Sequence, residues 1–165
     1  MARINHTSTA KLIAFFLLLF FASLAAHAQK PASPKIQTFM RDATFPYTKV
    51  KPDIYLIHFQ GKALKKFNIV VTQGEGLILL FAVVASKQEY RPSTELGTKL
   101  LKAAWNADRV KIGLDDEDAI VARIDLSLRL TDKRDFNQSV DQLAAAADQT
   151  FEAIKPFITP VEKVD

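Results

Sequence analysis

The amino-acid sequence predicts an α+β fold: a mostly antiparallel five-stranded sheet packed with helices, in the order α-β-β-β-α-β-β-α. Two observations favour this class. Segments with helical apolar spacing alternate with strand-like runs, and three of those runs follow one another directly, which leaves too few crossovers for a parallel sheet. The chain has 165 residues, 48% hydrophobic and 24% charged, which suits one globular domain.

The first helix and the first sheet segments follow from local signals. Ser33 can cap a helix whose first residue is Pro34, and an apolar stripe continues to Ala43. Glycine-containing turns then separate runs of β-branched and aromatic residues. Three strands of a meander are therefore expected at residues 53–60, 65–72 and 76–85.

Two further helices are expected in the second half. The first of them opens at Ser93 and breaks after residue 105. Its apolar positions form a stripe with a pair beside it: Leu96, Leu100 and Ala103, then Leu101 and Trp105. Asp132 can cap the last helix and Pro156 ends it. The stripe of that helix is the clearest in the chain: Phe136, Val140, Leu143, Ala147, Phe151 and Ile154.

Between these helices, residues 109–130 alternate cleanly between apolar and polar types, which predicts a β-hairpin. The positions expected on the core side are Val110, Ile112, Leu114, Ile120, Ile124, Leu126, Leu128 and Leu130. The opposite face carries Arg109, Lys111, Arg123, Asp125, Ser127 and Arg129. A five-residue connection, 115–119, keeps both apolar sets on one face and sets Arg109 opposite Asp125. This polar face is either an ordinary solvated surface or part of an interaction surface.

Residues 1–28 have the three parts of a cleavable secretory signal peptide. Arg3 and Lys11 precede an apolar run, and Ala26-His27-Ala28 is a small-x-small cleavage site. The run is shorter than the roughly 20 residues that a membrane-spanning helix needs, which favours cleavage over an uncleaved anchor. We expect a cut between Ala28 and Gln29, a polar tether at 29–35, one domain at 36–158, a tail at 159–165, and a periplasmic or secreted protein with no membrane span.

Charge and cysteine content exclude several classes of function. The formal net charge of +4 includes Arg3 and Lys11, so the mature chain is only weakly basic and lacks the footprint of a nucleic-acid-binding protein. The chain has no cysteine, which excludes disulfides, thiolate chemistry and a lipid-modified cysteine at the cut.

The sequence offers little that an enzyme could use, and we expect no catalytic, cofactor-binding or metal-binding residues. His58 is the one histidine after the leader and lies within a strand-like run. No nucleophile-elbow or dinucleotide-binding pattern is present. Asp115, Asp116, Glu117 and Asp118 lack the spacing of an EF-hand calcium loop, so a solvated hairpin tip is favoured.

The third strand is apolar on both sides. Leu77, Leu79, Phe81 and Val83 point one way, and the alternate residues Ile78, Leu80, Ala82 and Val84 point the other. Three helices, one of them short, are not expected to cover both faces of the sheet. We expect a candidate interaction surface that combines the first of these two sets with five polar residues: Leu77, Leu79, Phe81 and Val83, with Arg109, Lys111, Arg123, Asp125 and Arg129. The alternative is that a helix covers the second face.

The order of elements, and the segment 105–154 with its acid-tipped hairpin and long final helix, resemble the type III secretion chaperone-like superfamily. That group includes Tir-type chaperones and the bacterial sensory transduction regulator family. The resemblance implies a compact α+β domain, usually homodimeric, that binds an extended segment of another protein and performs no chemistry. It assigns no site residues to this chain.

We therefore expect an exported, non-enzymatic protein-binding module, homodimeric, with an unidentified protein partner. The alternative is a small-ligand carrier or enzyme with a pocket between the sheet and the final helix. An open apolar strip favours the first hypothesis, and a dry pocket ringed by convergent polar groups favours the second.

Overall fold

The computed structural model describes residues 34–159, which form one sheet and three α-helices. The predicted signal peptide and its cleavage site lie outside the described residues. The helices are α1 (Pro34–Arg41), α2 (Thr94–Asn106) and α3 (Lys133–Ile154). The strands are β1 (Tyr47–Lys51), β2 (Ile54–Phe59), β3 (Phe67–Gln73), β4 (Leu77–Ala85), β5 (Lys111–Leu114) and β6 (Ile120–Ser127). Short 3₁₀ turns follow β4 and α3, at Lys87–Glu89 and Lys155–Phe157.

The sheet is antiparallel throughout, with the strand order β1-β2-β3-β4-β6-β5. The α+β class is confirmed, but the sheet has six strands where the sequence predicts five. The additional strand is β1, which pairs with β2 at the edge and bulges between Lys49 and Lys51. An exposed lysine, Lys49, and a bulge are features that protect a sheet edge from pairing with other chains.

One face of the sheet carries the core. Alternate residues of β2, β3, β4 and β6 are buried beneath the helices, as the period of two requires. The largest fully buried side chains of these strands are Ile57, Ile69, Val71, Ile78, Leu80, Ile120 and Ile124. Residues of all three helices belong to the same apolar cluster, so the helices close this face.

Helix α3 provides most of the cover. The Asp132 side chain accepts a hydrogen bond from the Asp135 backbone N–H at 2.8 Å, which satisfies one of the free donors at the helix start. Its buried stripe includes Phe136, Val140, Leu143, Ala147 and Ile154, as the spacing predicts. Helix α1 packs against α3 through Phe39, whose ring centroid lies 5.2 Å from that of Phe136.

The β5–β6 hairpin has the predicted register. Leu114 pairs with Ile120, so five residues form the connection. The acidic tip is a tight turn, in which the Asp115 carboxylate accepts the backbone N–H groups of Glu117 and Ala119 at 2.9 and 2.8 Å. Asp118 adopts a positive φ of 61°, forms an ion pair with Lys87, and its carbonyl accepts the Tyr90 hydroxyl at 2.6 Å.

Two residues assigned to the core side by alternation are exposed. Leu114 is the last residue of a four-residue edge strand and is 54% exposed although it pairs with Ile120. Leu130 follows the end of β6 at Ser127, in a turn where the strand periodicity no longer applies. Strand alternation thus predicts burial correctly along β6 but not at the end of the edge strand β5 or in the turn after β6.

A loop between β2 and β3 is held against α3 by one carboxylate. Asp148 accepts the backbone N–H groups of Lys62, Ala63 and Leu64 at 3.2, 2.9 and 2.8 Å. Burial acts to raise the pKa of Asp148, but these hydrogen bonds outweigh it and the pKa lies below its ordinary value. Gly61 permits this approach, because a Cβ there would lie 2.1 Å from Asp148 Oδ1.

Replacing Asp148 with alanine should lower the free energy of unfolding by about 2 kcal/mol near neutral pH, because three N–H groups lose an ionised acceptor. A depressed pKa stabilises the fold above the ordinary Asp pKa of about 4, and this stabilisation is lost as the pH falls through the folded-state value. The free energy of unfolding, measured in urea, should therefore differ less between wild type and Asp148→Ala in acid than near neutral pH.

The matched control is Asp141→Ala, which removes an exposed carboxylate two turns earlier on the same helix. Equal unfolding free energies for the two variants would contradict the role given to Asp148.

Candidate interaction surface

The second face of the sheet, here called the open face, has no helix over it within residues 34–159. Its side chains are half-buried or exposed along β2, β3, β4 and β6, while their sequence neighbours are buried. All three helices contribute to the core on the other side. The predicted excess of apolar surface on β4 is therefore real.

One cross-strand row shows how the open face is built. Thr48 pairs with Leu56, Leu56 with Val70, Val70 with Phe81, Phe81 with Arg123, and Arg123 with Lys111. Three apolar side chains thus occupy the middle strands, and polar side chains occupy both ends. An apolar centre with a polar rim is the arrangement found in protein–protein interfaces.

Six apolar side chains of the open face are contiguous, and we call them the open patch: Leu56, Val70, Leu79, Phe81, Val83 and Val121. Val83 is 45% exposed and the others are half-buried, because neighbouring side chains on a pleated surface partly shield one another. All four β4 residues singled out from the sequence lie on this face, with Leu77 exposed at its end beside Ser127.

A charged cluster lies next to the open patch. The Asp125 carboxylate accepts Lys111 Nζ at 2.7 Å and Arg123 Nε at 2.6 Å. Burial acts to raise the pKa of Asp125, but the two cations outweigh it and hold the pKa below its ordinary value. The three side chains carry a net positive charge at the β5 side of the patch.

Two of the five predicted polar residues do not join this cluster. Arg109 precedes β5 with a positive φ of 62°, and both terminal nitrogens of its guanidinium lie 3.1 Å from Asp135 Oδ1 of α3. Arg129 lies beyond the end of β6 and is exposed. The polar face predicted from alternation is thus limited to the length over which β5 and β6 pair.

His58 lies on the open face, exposed, between two hydrogen-bonding neighbours. Its Nδ1 is 2.8 Å from Asn68 Oδ1 and its Nε2 is 2.8 Å from the Thr48 hydroxyl. An amide oxygen can only accept, so Nδ1 donates to it and Nε2 accepts from Thr48. Thr48 belongs to the strand that the sequence analysis missed, which is why this arrangement was not foreseen.

A second apolar surface was not predicted. Leu101 is 74% exposed and Trp105 is 90% exposed, one turn apart on α2. Their spacing in the sequence places them beside the stripe of Leu96 and Leu100, where they could have packed against a neighbouring helix. Leu96 is buried and Leu100 packs against the core, so α2 uses only one side for the fold.

A groove of about 380 Å³ lies between the sheet and the final helix, where the alternative hypothesis places a pocket. Its walls include Phe59, Phe67, Ala144 and Asp148. The carboxylate in this groove is already engaged by three backbone N–H groups. Gln60, Lys62 and Gln149 complete the polar part of the lining.

Neither a membrane-spanning helix nor a metal-binding cluster is found within residues 34–159. No helix in this range is both long enough and apolar enough to cross a membrane. The same range holds no group of three or more histidine or acidic side chains placed to hold a metal ion.

Solved structures share this fold. One chain of the heterodimeric ExoU–SpcU complex from the type III secretion system of Pseudomonas aeruginosa aligns with a TM-score of 0.53 at 15% identity, over 75% of this chain and 99% of that chain. YbjN, a proposed transcription regulator from E. coli, aligns with a TM-score of 0.55 at 17% identity, over 76% of this chain and 94% of that chain.

This chain therefore shares its fold with a chain of the ExoU–SpcU complex and with YbjN. The resemblance seen in the sequence is thereby confirmed at the level of fold. The chain matches no protein-family model and no curated protein. At these identities the shared fold assigns no binding residues to this chain.

Proposed function

We propose that this protein is an exported, non-enzymatic binding module that holds a segment of another polypeptide on the open patch. The observation that carries the proposal is the contiguous apolar row through Leu56, Val70 and Phe81, on a sheet face that no helix of residues 34–159 covers. Monomeric soluble proteins rarely leave a large contiguous apolar surface in water without an interaction to use it.

The surroundings of the patch also suit a protein ligand. Lys111, Arg123 and Asp125 form a polar margin on one side, and His58 with its neighbours forms a polar margin on the other. Such margins can hydrogen-bond to the backbone or side chains of a bound segment. A partner with apolar side chains flanked by an acidic residue would match the apolar centre and the net positive margin.

The fold supports the same class of function. A chain of this fold occurs in a complex of two different proteins, ExoU and SpcU. That finding concerns the secretion-system complex alone, and it supports the proposal that this chain also works by binding protein.

We further propose that the protein forms a homodimer. It exposes two separate apolar surfaces, the open patch on the sheet and the Leu101–Trp105 pair on α2. One surface can take a second copy while the other remains free for a partner. Exposed tryptophan is enriched among the residues that dominate the energy of protein interfaces.

Light scattering over a concentration series should show a dimer of the mature chain. Phe81→Asp places a charge at the centre of the open patch, opposite Arg123, so the variant should fold. If the patch joins the two copies, this variant should be monomeric at concentrations where wild type is dimeric. If the helix pair joins them, Trp105→Ala should instead be monomeric.

Leu130→Asp is the matched control, because it charges an exposed leucine outside both surfaces and should leave the dimer intact. Circular dichroism must show that each variant is folded, and Phe81→Ser serves if the aspartate is not tolerated. A wild-type protein that is monomeric at every concentration would refute self-association. A photo-crosslinker would then be placed at position 81, or at position 130 as the control. If the open patch binds another partner, crosslinking is expected from position 81 and not from position 130.

Export has its own test. Expression of the full chain in a bacterium with two membranes should yield a protein in the periplasm or medium whose first residue is Gln29, as measured by intact mass. Replacing Ala28 with phenylalanine should block cleavage, because the site requires a small residue at that position. Recovery of the uncleaved wild-type chain in the cytoplasm would contradict the proposed location.

A further inference from the structure

The two edges of the sheet differ in how they are protected. At one edge, β1 carries a bulge and the exposed Lys49. At the other edge, β5 pairs with β6 in an unbroken register from Lys111 to Leu114 and has no bulge. Within residues 34–159 no strand pairs with the outer side of β5. A regular strand with an unpaired edge is a template for pairing with another chain.

The hairpin turn determines which backbone groups β5 offers at this edge. The Asp115 backbone N–H donates to the Ala119 carbonyl at 3.0 Å, so the peptide groups of Asp115 point towards β6. These directions alternate along a strand, and the peptide groups of Ile112 and Leu114 therefore point away from β6. The outer edge of β5 thus presents two N–H donors and two carbonyl acceptors to any strand beside it.

Exposed apolar side chains lie on the same side of the molecule as this edge. Leu114 of β5 is 54% exposed. Helix α3 packs on β4 and β6 whereas α2 packs on β5, so the flank of α2 that faces away from α3 lies towards the open edge. Lys99 and Asn106 line the groove with α3, and helical geometry places Leu101 on the opposite flank, with Trp105 one turn further on.

The edge of β5 is complementary to itself in one antiparallel register. A two-fold axis at Gly113 places Ile112 of one copy opposite Leu114 of the other, and the outward peptide groups of these residues then form four hydrogen bonds. The same register places Lys111 opposite Asp115, and opposite charges that face each other across two strands are favourable. Registers centred on Ile112 or Leu114 form only two such bonds within β5.

We propose that two copies of this chain join at this edge, so that two sheets of six strands become one continuous sheet. The inference rests on the proposed homodimer and names the surface that forms it, which is the outer edge of β5 with Leu101 and Trp105 of α2 beside it. A two-fold contact of this kind uses the same residues on both copies, as the interfaces of most homodimers do.

This arrangement enlarges the surface that a partner meets. A two-fold axis perpendicular to the sheet keeps both open faces on one side. Val83 pairs with Val121, and Val121 pairs with Gly113, so this row of the open face continues across the axis into the second copy. Gly113 has no side chain to interrupt the row. The two open patches therefore form one surface, and a single partner segment can contact both copies.

Disulfide crosslinking tests the register, because the chain has no cysteine of its own. The proposed register brings the two Gly113 Cα atoms to about 4.5 Å, a distance that a disulfide can span. A Cβ at this position meets no other atom within 4 Å, so Gly113→Cys should fold. Under mild oxidation it should form a covalent dimer at least about tenfold faster than Leu130→Cys, whose thiols meet only by diffusion.

Light scattering tests the same edge without a crosslink. Leu114→Arg changes an exposed side chain, places a charge against Ile112 of the second copy, and should raise the dissociation constant of the dimer at least about tenfold. Leu130→Arg and Phe81→Asp should leave the dimer intact. A dimer that is not crosslinked through position 113, or that Leu114→Arg does not weaken, would overturn this interface and leave the homodimer standing. A wild-type chain that is monomeric at every concentration would overturn both.

Discussion

The structure depends on one asymmetry: a single long helix covers most of one face of a six-stranded sheet, and no helix of residues 34–159 covers the other face. Helix α3 and the shorter helices bury alternate residues of four strands, which is where the apolar cluster lies. β4 is apolar on both sides, so burying Leu80 beneath α3 necessarily turns Phe81 away from it. The open patch is therefore a direct consequence of the strand that anchors the core.

Much of this could be predicted from the sequence because the relevant signals are local and periodic. The period of two in β6 and the helical stripe of α3 identify buried positions correctly, and Asp132 caps α3 as expected. The hairpin register follows from requiring both apolar sets on one face, and Leu114 pairs with Ile120 accordingly. The fold class and the chaperone-like resemblance rest on these elements.

The remaining features depend on where elements end and on what lies beside them. β1 has the sequence YTKVK between two prolines, and four of its five residues are exposed, so it has no apolar alternation to reveal it. Arg109 leaves the strand pattern through a positive φ that a non-glycine residue rarely adopts. The hydrophobicity of Trp105 would suggest a core position. The packing of α2 shows instead that Trp105 is 90% exposed and is not covered by any part of residues 34–159.

The central claim is that successive residues of β4 face alternately the core and an open surface. The chain has no cysteine, so single cysteines can be introduced at each of residues 78–83 and their reaction with a maleimide measured in the folded, dilute protein. The structure predicts fast labelling at 79, 81 and 83, and labelling only after unfolding at 78, 80 and 82. Equal protection at all six positions, or the inverse pattern, would contradict it.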